Sequence, residues 1–193
     1  MQPPANSAEP VLNTLLQRRT IHAYRRDPVD SRAVERALEA AIHAPNHRMT
    51  IPWRFVRVGR TTRARIAEIA VRLRTKPGIP LAGPIADEIR SKLLDPPELI
   101  VVAVVRQPDP AIAREDYASA ACAIQNLSLA LFAQGIGSKW STTKVASDAE
   151  TYAVLGIDPA QQEIIGFVTA GLPAAVPATP PRPALDTLVR VLP

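Results

Sequence analysis

Between Arg18 and Phe55 the chain reads Arg18-Arg19-Thr20-Ile21-His22-Ala23-Tyr24, then Ala44-Pro45-Asn46-His47, then Pro52-Trp53-Arg54-Phe55. Two polar clusters frame one amphipathic segment. The first sets adjacent guanidinium groups and a hydroxyl where an apolar segment stops, the donor set that a phosphate or other planar anion requires. Upstream, Val11, Leu12, Leu15 and Leu16 recur at helical spacing. They predict a helix over Val11 to Gln17 that delivers Arg18 and Arg19 at its C-terminal end, where the same charges offset the helix dipole. Asp30 or Ser31 can cap a second helix with Val34, Ala37, Leu38, Ala41 and Ile42 on one face, His43 in its last turn and Pro45 closing it. The second cluster is a turn ahead of a strand over Trp53 to Val58.

Further along, Thr61 or Thr62 can cap a helix over Arg63 to Arg74. Pro77-Gly78-Ile79-Pro80 and Gly83-Pro84 punctuate a loop before a polar helix near Ile85 to Leu93, the pattern of a surface excursion or lid. Leu99 to Val105 is a continuous apolar run rich in valine, as in a strand buried on both faces. Ala113 to Gln134 is apolar almost all round and predicts a central helix, its small residues suited to a core or to a twofold contact. The chain then turns through Gly135-Ile136-Gly137-Ser138 into Lys139-Trp140-Ser141-Thr142. A short helix from Asp148 to Gly156 and a strand from Glu163 to Ala170 follow. Beyond Gly171, Pro173, Pro177, Pro180, Pro181 and Pro183 predict an extended arm, which at ~3.1 Å per residue can reach a second subunit. Leu185 to Leu192 can add a strand to a sheet edge, its own or a partner's.

The chain has 193 residues, 47% hydrophobic and 21% charged, enough for one domain spanning residues 1–193. Its +5 charge is dispersed, aromatics make up only 4%, and no nucleic-acid motif occurs, so an anionic cofactor accounts for the surplus better than nucleic acid does. One cysteine, Cys122, excludes a disulfide within the chain and a cysteine metal cluster; its apolar setting predicts a buried, reduced thiol. Met1 to Pro10 lacks a basic region followed by an apolar one, and no run approaches the ~18 residues of a membrane span, which predicts a cytoplasmic protein without membrane contact.

Three histidines and no Gly-x-Ser-x-Gly elbow argue against a serine triad. His43 and His47 have the i,i+4 spacing of zinc ligands, but Pro45 lies between them and no third ligand cluster accompanies them, so no metal is expected. Neither a Gly-x-Gly-x-x-Gly nor a phosphate-binding loop motif is present. What remains is a set of binding groups, which suits a cofactor that brings its own reactivity.

These motifs resemble the nitroreductase family of FMN-dependent oxidoreductases, in its small single-domain branch. The family pattern Arg-Arg-Ser-x-Arg-x-Phe, then Ala-Pro-Ser, then Gln-Pro-Trp-x-Phe falls on Arg18 to Phe55. The resemblance implies an α+β, three-layer fold with a central mixed sheet flanked by helices and a C-terminal arm reaching the partner subunit. It implies a homodimer with FMN at the interface, reduced by NADH or NADPH and reoxidised by a small electron-poor acceptor such as a nitroaromatic or quinone. By the same resemblance Arg18, Arg19 and Thr20 contact the FMN phosphate and ribityl chain, and His22 takes the basic position beside the pyrimidine edge. His43, Pro45, Asn46 and His47 reach the flavin from the second subunit. Lys139, Trp140 and Ser141 lie beside the ring, and Arg182 approaches the phosphate. No general acid or base is implied. Met49 and Ile51 stand where the family carries amides, leaving room for a specialised dehydrogenase or dehalogenase, or for a flavin-binding dimer without turnover.

Overall fold

The protein was described from a computed structural model, which covers residues 8–76 and 78–192. Residues 1–7 of the segment read for a leader, and Pro77 of the predicted loop, lie outside the described residues. The elements are α1 (Ala8–Gln17), α2 (Ser31–Ile42), β1 (Trp53–Arg57), α3 (Arg60–Arg74), α4 (Gly83–Leu94), β2 (Glu98–Val105), α5 (Pro110–Ala133), β3 (Gly137–Ser141), α6 (Ala149–Leu155) and β4 (Gln162–Gly171). Asp30, Asp109 and Asp148 each accept a backbone N–H at the start of α2, α5 and α6, satisfying donors that a helix start leaves free. Gly156 ends α6 in the left-handed conformation that glycine adopts without steric cost.

The four strands form one sheet in the order β1-β2-β4-β3, every neighbouring pair antiparallel. An isolated parallel bridge pairs Thr20 with Ser138 at the β3 edge. β2 is central and its run Leu99–Val104 is buried throughout, so both of its faces carry apolar side chains. On one face Ile100 and Val102 meet Val34, Ala37 and Ala41 of α2 and Ile124, Leu127 and Leu131 of α5. On the other, Leu99, Val101 and Ala103 meet Ile66 and Ile69 of α3, with Tyr152 of α6 closing that side. Helix, sheet and helix thus make three layers. Each fully buried leucine or isoleucine contributes about 2 kcal/mol from area removed from water.

Three expectations change. α3 begins at Arg60 with Gly59 as its N-cap, not at a threonine cap, because the Val58 amide stays in register with Leu99 and the helix starts as soon as that pairing ends. Leu185–Leu192 forms no strand; it makes a 3-10 turn at Leu185–Thr187 and stays exposed. Cys122 is exposed rather than buried, since α5 turns that side away from the sheet. Trp140 is 36% exposed and lies over Gly166, where an added Cβ would sit 2.1 Å from Trp140 Nε1.

Candidate functional site

Three groups of polar residues come out of this fold. The first starts where α1 stops. After Gln17 the chain becomes extended, and the Ile21 amide donates to the Ser138 carbonyl at 3.1 Å. Tyr24 bridges to Pro173, the Arg25 amide donates to Leu172, and the Ala174 amide donates to Ala23. Residues 20–25 are therefore held between β3 and the chain leaving β4, which aims the proline-rich arm back along residues 18–22. A cavity of roughly 260 Å³ results, lined by Arg18, Arg19, Thr20, His22 and Arg182 with Pro177, Ala178 and Pro180. Arg19 donates to the carbonyls of Leu16 (2.6 Å) and Arg18 (2.9 Å) and to the Thr179 hydroxyl, so it fastens the arm. Arg18 and Arg182 make no side-chain hydrogen bond or ion pair among the described residues. No carboxylate lines the cavity. Three guanidinium groups, a hydroxyl and an imidazole in one small concavity fit a phosphate.

The second group is the turn after α2, where His43 caps the helix through its backbone N–H to Ala40 and Ala41. Asn46 is committed to the turn: its Oδ1 accepts the Ile51 amide at 2.8 Å and its Nδ2 donates to Thr50 Oγ1 at 3.0 Å. The Thr50 hydroxyl in turn donates to Asp116, a carboxylate only 1% exposed whose other oxygen accepts from Gln107 at 3.0 Å. This network holds Met49 and Ile51 at φ 50° and 48°, a region costly for any residue with a Cβ and most of all for a β-branched one. His47 Nδ1 lies 3.1 Å from Glu115 Oε2, which Arg48 also approaches at 3.2 Å. Hydrogen bonding from His47, then from Arg48, holds the Glu115 carboxyl below its usual range. Pro45 is exposed beside them.

The third group lies on β3. Lys139 and Ser141 pair across the ladder with Thr169 and Phe167 and face a cavity of roughly 440 Å³ under α3 and α4. Trp140 points to the opposite face, since strand side chains alternate. The tryptophan and its two neighbours therefore serve different surfaces.

The fold brings Arg18, Arg19, Thr20, His22 and Arg182 together from the two ends of the chain. It does not add His43, Pro45, Asn46 and His47 to them within one copy. Asn46 and His47 meet Ser119 and Glu115 in the first half of α5, whereas Ser138 follows its end. Glu115 and Ala133 are separated by roughly 27 Å at 1.5 Å per residue. Thr179, which anchors the arm, and the cations Arg74 and Lys144 beside Lys139 were not singled out by sequence; no spacing rule connects residues so far apart in the chain.

The sequence model of the nitroreductase family matches residues 15–172. YfhC of Bacillus subtilis (strain 168), which carries the name of an NAD(P)H nitroreductase, is 27% identical over 166 residues, covering 86% of this chain and 85% of the relative. Among solved structures, a nitroreductase-like family protein from Bacillus cereus superimposes with a TM-score of 0.83 at 20% identity, covering 100% of this chain and 98% of the other. A nitroreductase-named protein from Desulfovibrio desulfuricans, solved with FMN, gives a TM-score of 0.75 at 26% identity, covering 95% and 98%. Among the described residues no helix is long and apolar enough to cross a membrane.

Proposed function

This chain belongs to the nitroreductase family, and from that premise we propose that it is an FMN-dependent NAD(P)H oxidoreductase built as one domain with an arm over residues 171–193. The convergence of Arg18, Arg19, Thr20, His22 and Arg182 on a single cavity without a carboxylate carries this reading. Bound at this cavity, FMN would supply two-electron chemistry between NADH or NADPH and an electron-poor acceptor such as a nitroaromatic or quinone.

The residues of this chain bind and tune. Arg18 and Arg182 neutralise the phosphate, Thr20 donates its hydroxyl, and Arg19 fixes the arm that carries Arg182. His22 adds an imidazole to the same cavity, able to hydrogen-bond the bound cofactor. The Asn46–His47 turn serves the site of a second copy. Its distance along α5 from the arginine cavity supports this, as do the exposed Val11, Leu12, Leu15 and Leu16 on α1, an apolar face of the kind that a homodimer covers.

The test is a titration of the purified chain with FMN, followed by anaerobic addition of NADPH or NADH. A stoichiometric yellow complex that bleaches with nicotinamide and recovers with a nitroaromatic or quinone is expected. Colour without bleaching would favour the flavin-binding dimer without turnover, and no FMN uptake at all would sink the proposal.

A further inference from the structure

At the opposite end of α3 from Arg74 lies a larger cavity, roughly 890 Å³, between the start of α3, α4 and the segment after Tyr24. Five arginines line it: Arg26, Arg57, Arg60, Arg63 and Arg90. Three of them are committed within the fold. Arg57 pairs with Glu98 at 2.9 Å, and Arg90 pairs with Glu68 at 2.7 Å and with Asp87 at 2.9 Å. Arg63, 8% exposed, donates to the carbonyls of Val58 (2.7 Å), Pro96 (2.6 Å) and Pro97 (2.9 Å), tying the end of β1 to the approach to β2. Arg26 and Arg60 make no side-chain hydrogen bond or ion pair among the described residues.

Arg60 stands against local preference. It is the first residue of α3, whose first turn holds no acid, and a cation there opposes the helix dipole. It also crowds a like charge. Burial lowers the Arg63 guanidinium below its usual range, Glu98 opposes that, and Arg60 pushes the same way as burial. No contact among the described residues offsets either cost, a local conflict of the kind that functional sites carry. Arg26 is held in place from the other side, since the Tyr24 bridge to Pro173 and the bond from the Arg25 amide to Leu172 fix the chain just before it. Two uncommitted guanidinium groups thus reach one concavity from separate segments, beside apolar walls of Val58, Leu94, Pro96 and Pro97 that screen charge poorly. Of the three carboxylates on the lining, only Asp95 lacks a cation partner among the described residues, and it is exposed.

We infer that this cavity binds a sugar phosphate, its phosphate on Arg26 and Arg60 and its hydroxyls on Asp95. A guanidinium presents paired N–H donors that match phosphate oxygens. A carboxylate only accepts, so a hydroxyl-bearing body suits Asp95 where a second anionic group would be repelled. The site is separate from the one assigned to flavin. Arg60 and Arg74, at the two ends of α3, are roughly 21 Å apart at 1.5 Å per residue, and neither Arg18 nor Arg182 lines this cavity. The inference therefore does not rest on the proposed activity.

The experiment titrates the full-length chain by calorimetry with ribose 5-phosphate, ribose and inorganic phosphate, and repeats this on the chain carrying Arg18→Ala and Arg182→Ala together, which disables the other arginine cavity. Ribose 5-phosphate should bind at least about tenfold more tightly than ribose in both, and Arg26→Ala or Arg60→Ala should each weaken it about tenfold, the loss of one charge-assisted contact. Arg26→Gln and Arg60→Gln, which keep the side-chain length, should show the same loss. FMN affinity should stay unchanged in all four variants. Arg60→Ala should leave the melting temperature unchanged or raised, because it removes a cation from a helix start. Asp95→Ala should weaken ribose 5-phosphate relative to inorganic phosphate. Equal binding of ribose and ribose 5-phosphate, affinity untouched by all four arginine substitutions, or loss of binding in the Arg18→Ala, Arg182→Ala chain overturns the inference. So does inorganic phosphate binding as tightly as ribose 5-phosphate, which leaves Asp95 without a role. AMP separates the two sources of this chemistry: tighter binding of AMP than of ribose 5-phosphate marks a nucleotide, weaker binding a free sugar phosphate, and either supports the site.

Discussion

The backbone amide of Ile21 donates to the carbonyl of Ser138 at 3.1 Å, and that one bond fastens the Arg18–Thr20 segment to the free edge of β3. The contact is possible because residue 137 is glycine. An added Cβ there would lie 2.4 Å from Ile21 Cγ1 and 3.0 Å from Pro173 Cγ.

Gly137→Ala should therefore push Ile21, itself only 3% exposed, out of its seat. The expected cost is about 1–3 kcal/mol of stability, typical of overpacking, together with weaker FMN binding because Thr20 moves with Ile21. Denaturant melts and an FMN titration check both; a variant that loses neither would show that the segment yields without consequence.

Arg18→Ala and Arg182→Ala should each weaken FMN binding by about 1.5–3 kcal/mol, since both guanidinium groups are free to meet a phosphate. Arg19→Ala should act differently. Its bonds go to Leu16, Arg18 and Thr179, so its loss frees the arm and should make residues 177–182 more sensitive to limited proteolysis. Equal FMN affinities for wild type and Arg182→Ala would remove the arm from the site.

The turn before β1 should gain stability when its strain is relieved. Ile51 at φ 48° is a β-branched residue in the left-handed region, and Ile51→Asn should raise stability by about 0.5–1 kcal/mol, asparagine tolerating that conformation. Asn46→Ala should lower it by about 1–3 kcal/mol by leaving the Ile51 amide without its acceptor. Thermal melts decide; a lower melting temperature for Ile51→Asn would show that packing of the isoleucine outweighs its backbone cost.

Alkali should loosen the junction between residues 20–25 and β4. Burial pushes the Tyr24 phenol from 10.0 up to about 12, against a smaller opposing effect of the Thr169 hydroxyl 3.0 Å away. A folded-state value above the unfolded one means stability that is complete below pH 10.0 and lost as pH rises toward 12. Tyr24→Phe should flatten unfolding free energy against pH in that window. A variant with the same slope as wild type would assign the alkaline loss to another group.

Much of the fold was legible because it rests on local patterns. The valine-rich run at 99–105 announced a strand covered on both sides, and the alanine-rich run before Gln134 announced the helix packed against it. Local chemistry failed at Gly59, where the end of the β1–β2 pairing set the helix start ahead of either threonine. Composition also failed at Cys122, because an apolar neighbourhood in sequence does not say which side of a helix faces the sheet.

The candidate site divides the same way. Arg18-Arg19-Thr20 suggested an anion site in sequence because three adjacent residues bring their donors together, and the structure adds that Arg19 spends its donors on Leu16, Arg18 and Thr179. Lys139-Trp140-Ser141 reads as one cluster in sequence, whereas the twofold alternation of a strand sends its middle member to the other face.

By itself the sequence determined which segments become helices and strands, through periodicity and capping, and it determined the family through motifs within Arg18–Phe55. Only the tertiary structure decided that Arg182 joins Arg18 across the whole length of the chain, that Asn46 and His47 lie too far along α5 to join them in the same copy, and that Arg74, Lys139 and Lys144 face one cavity. Periodicity and capping act over a few residues, whereas these meetings depend on strand order and on the rigid length of a helix, which no local pattern encodes.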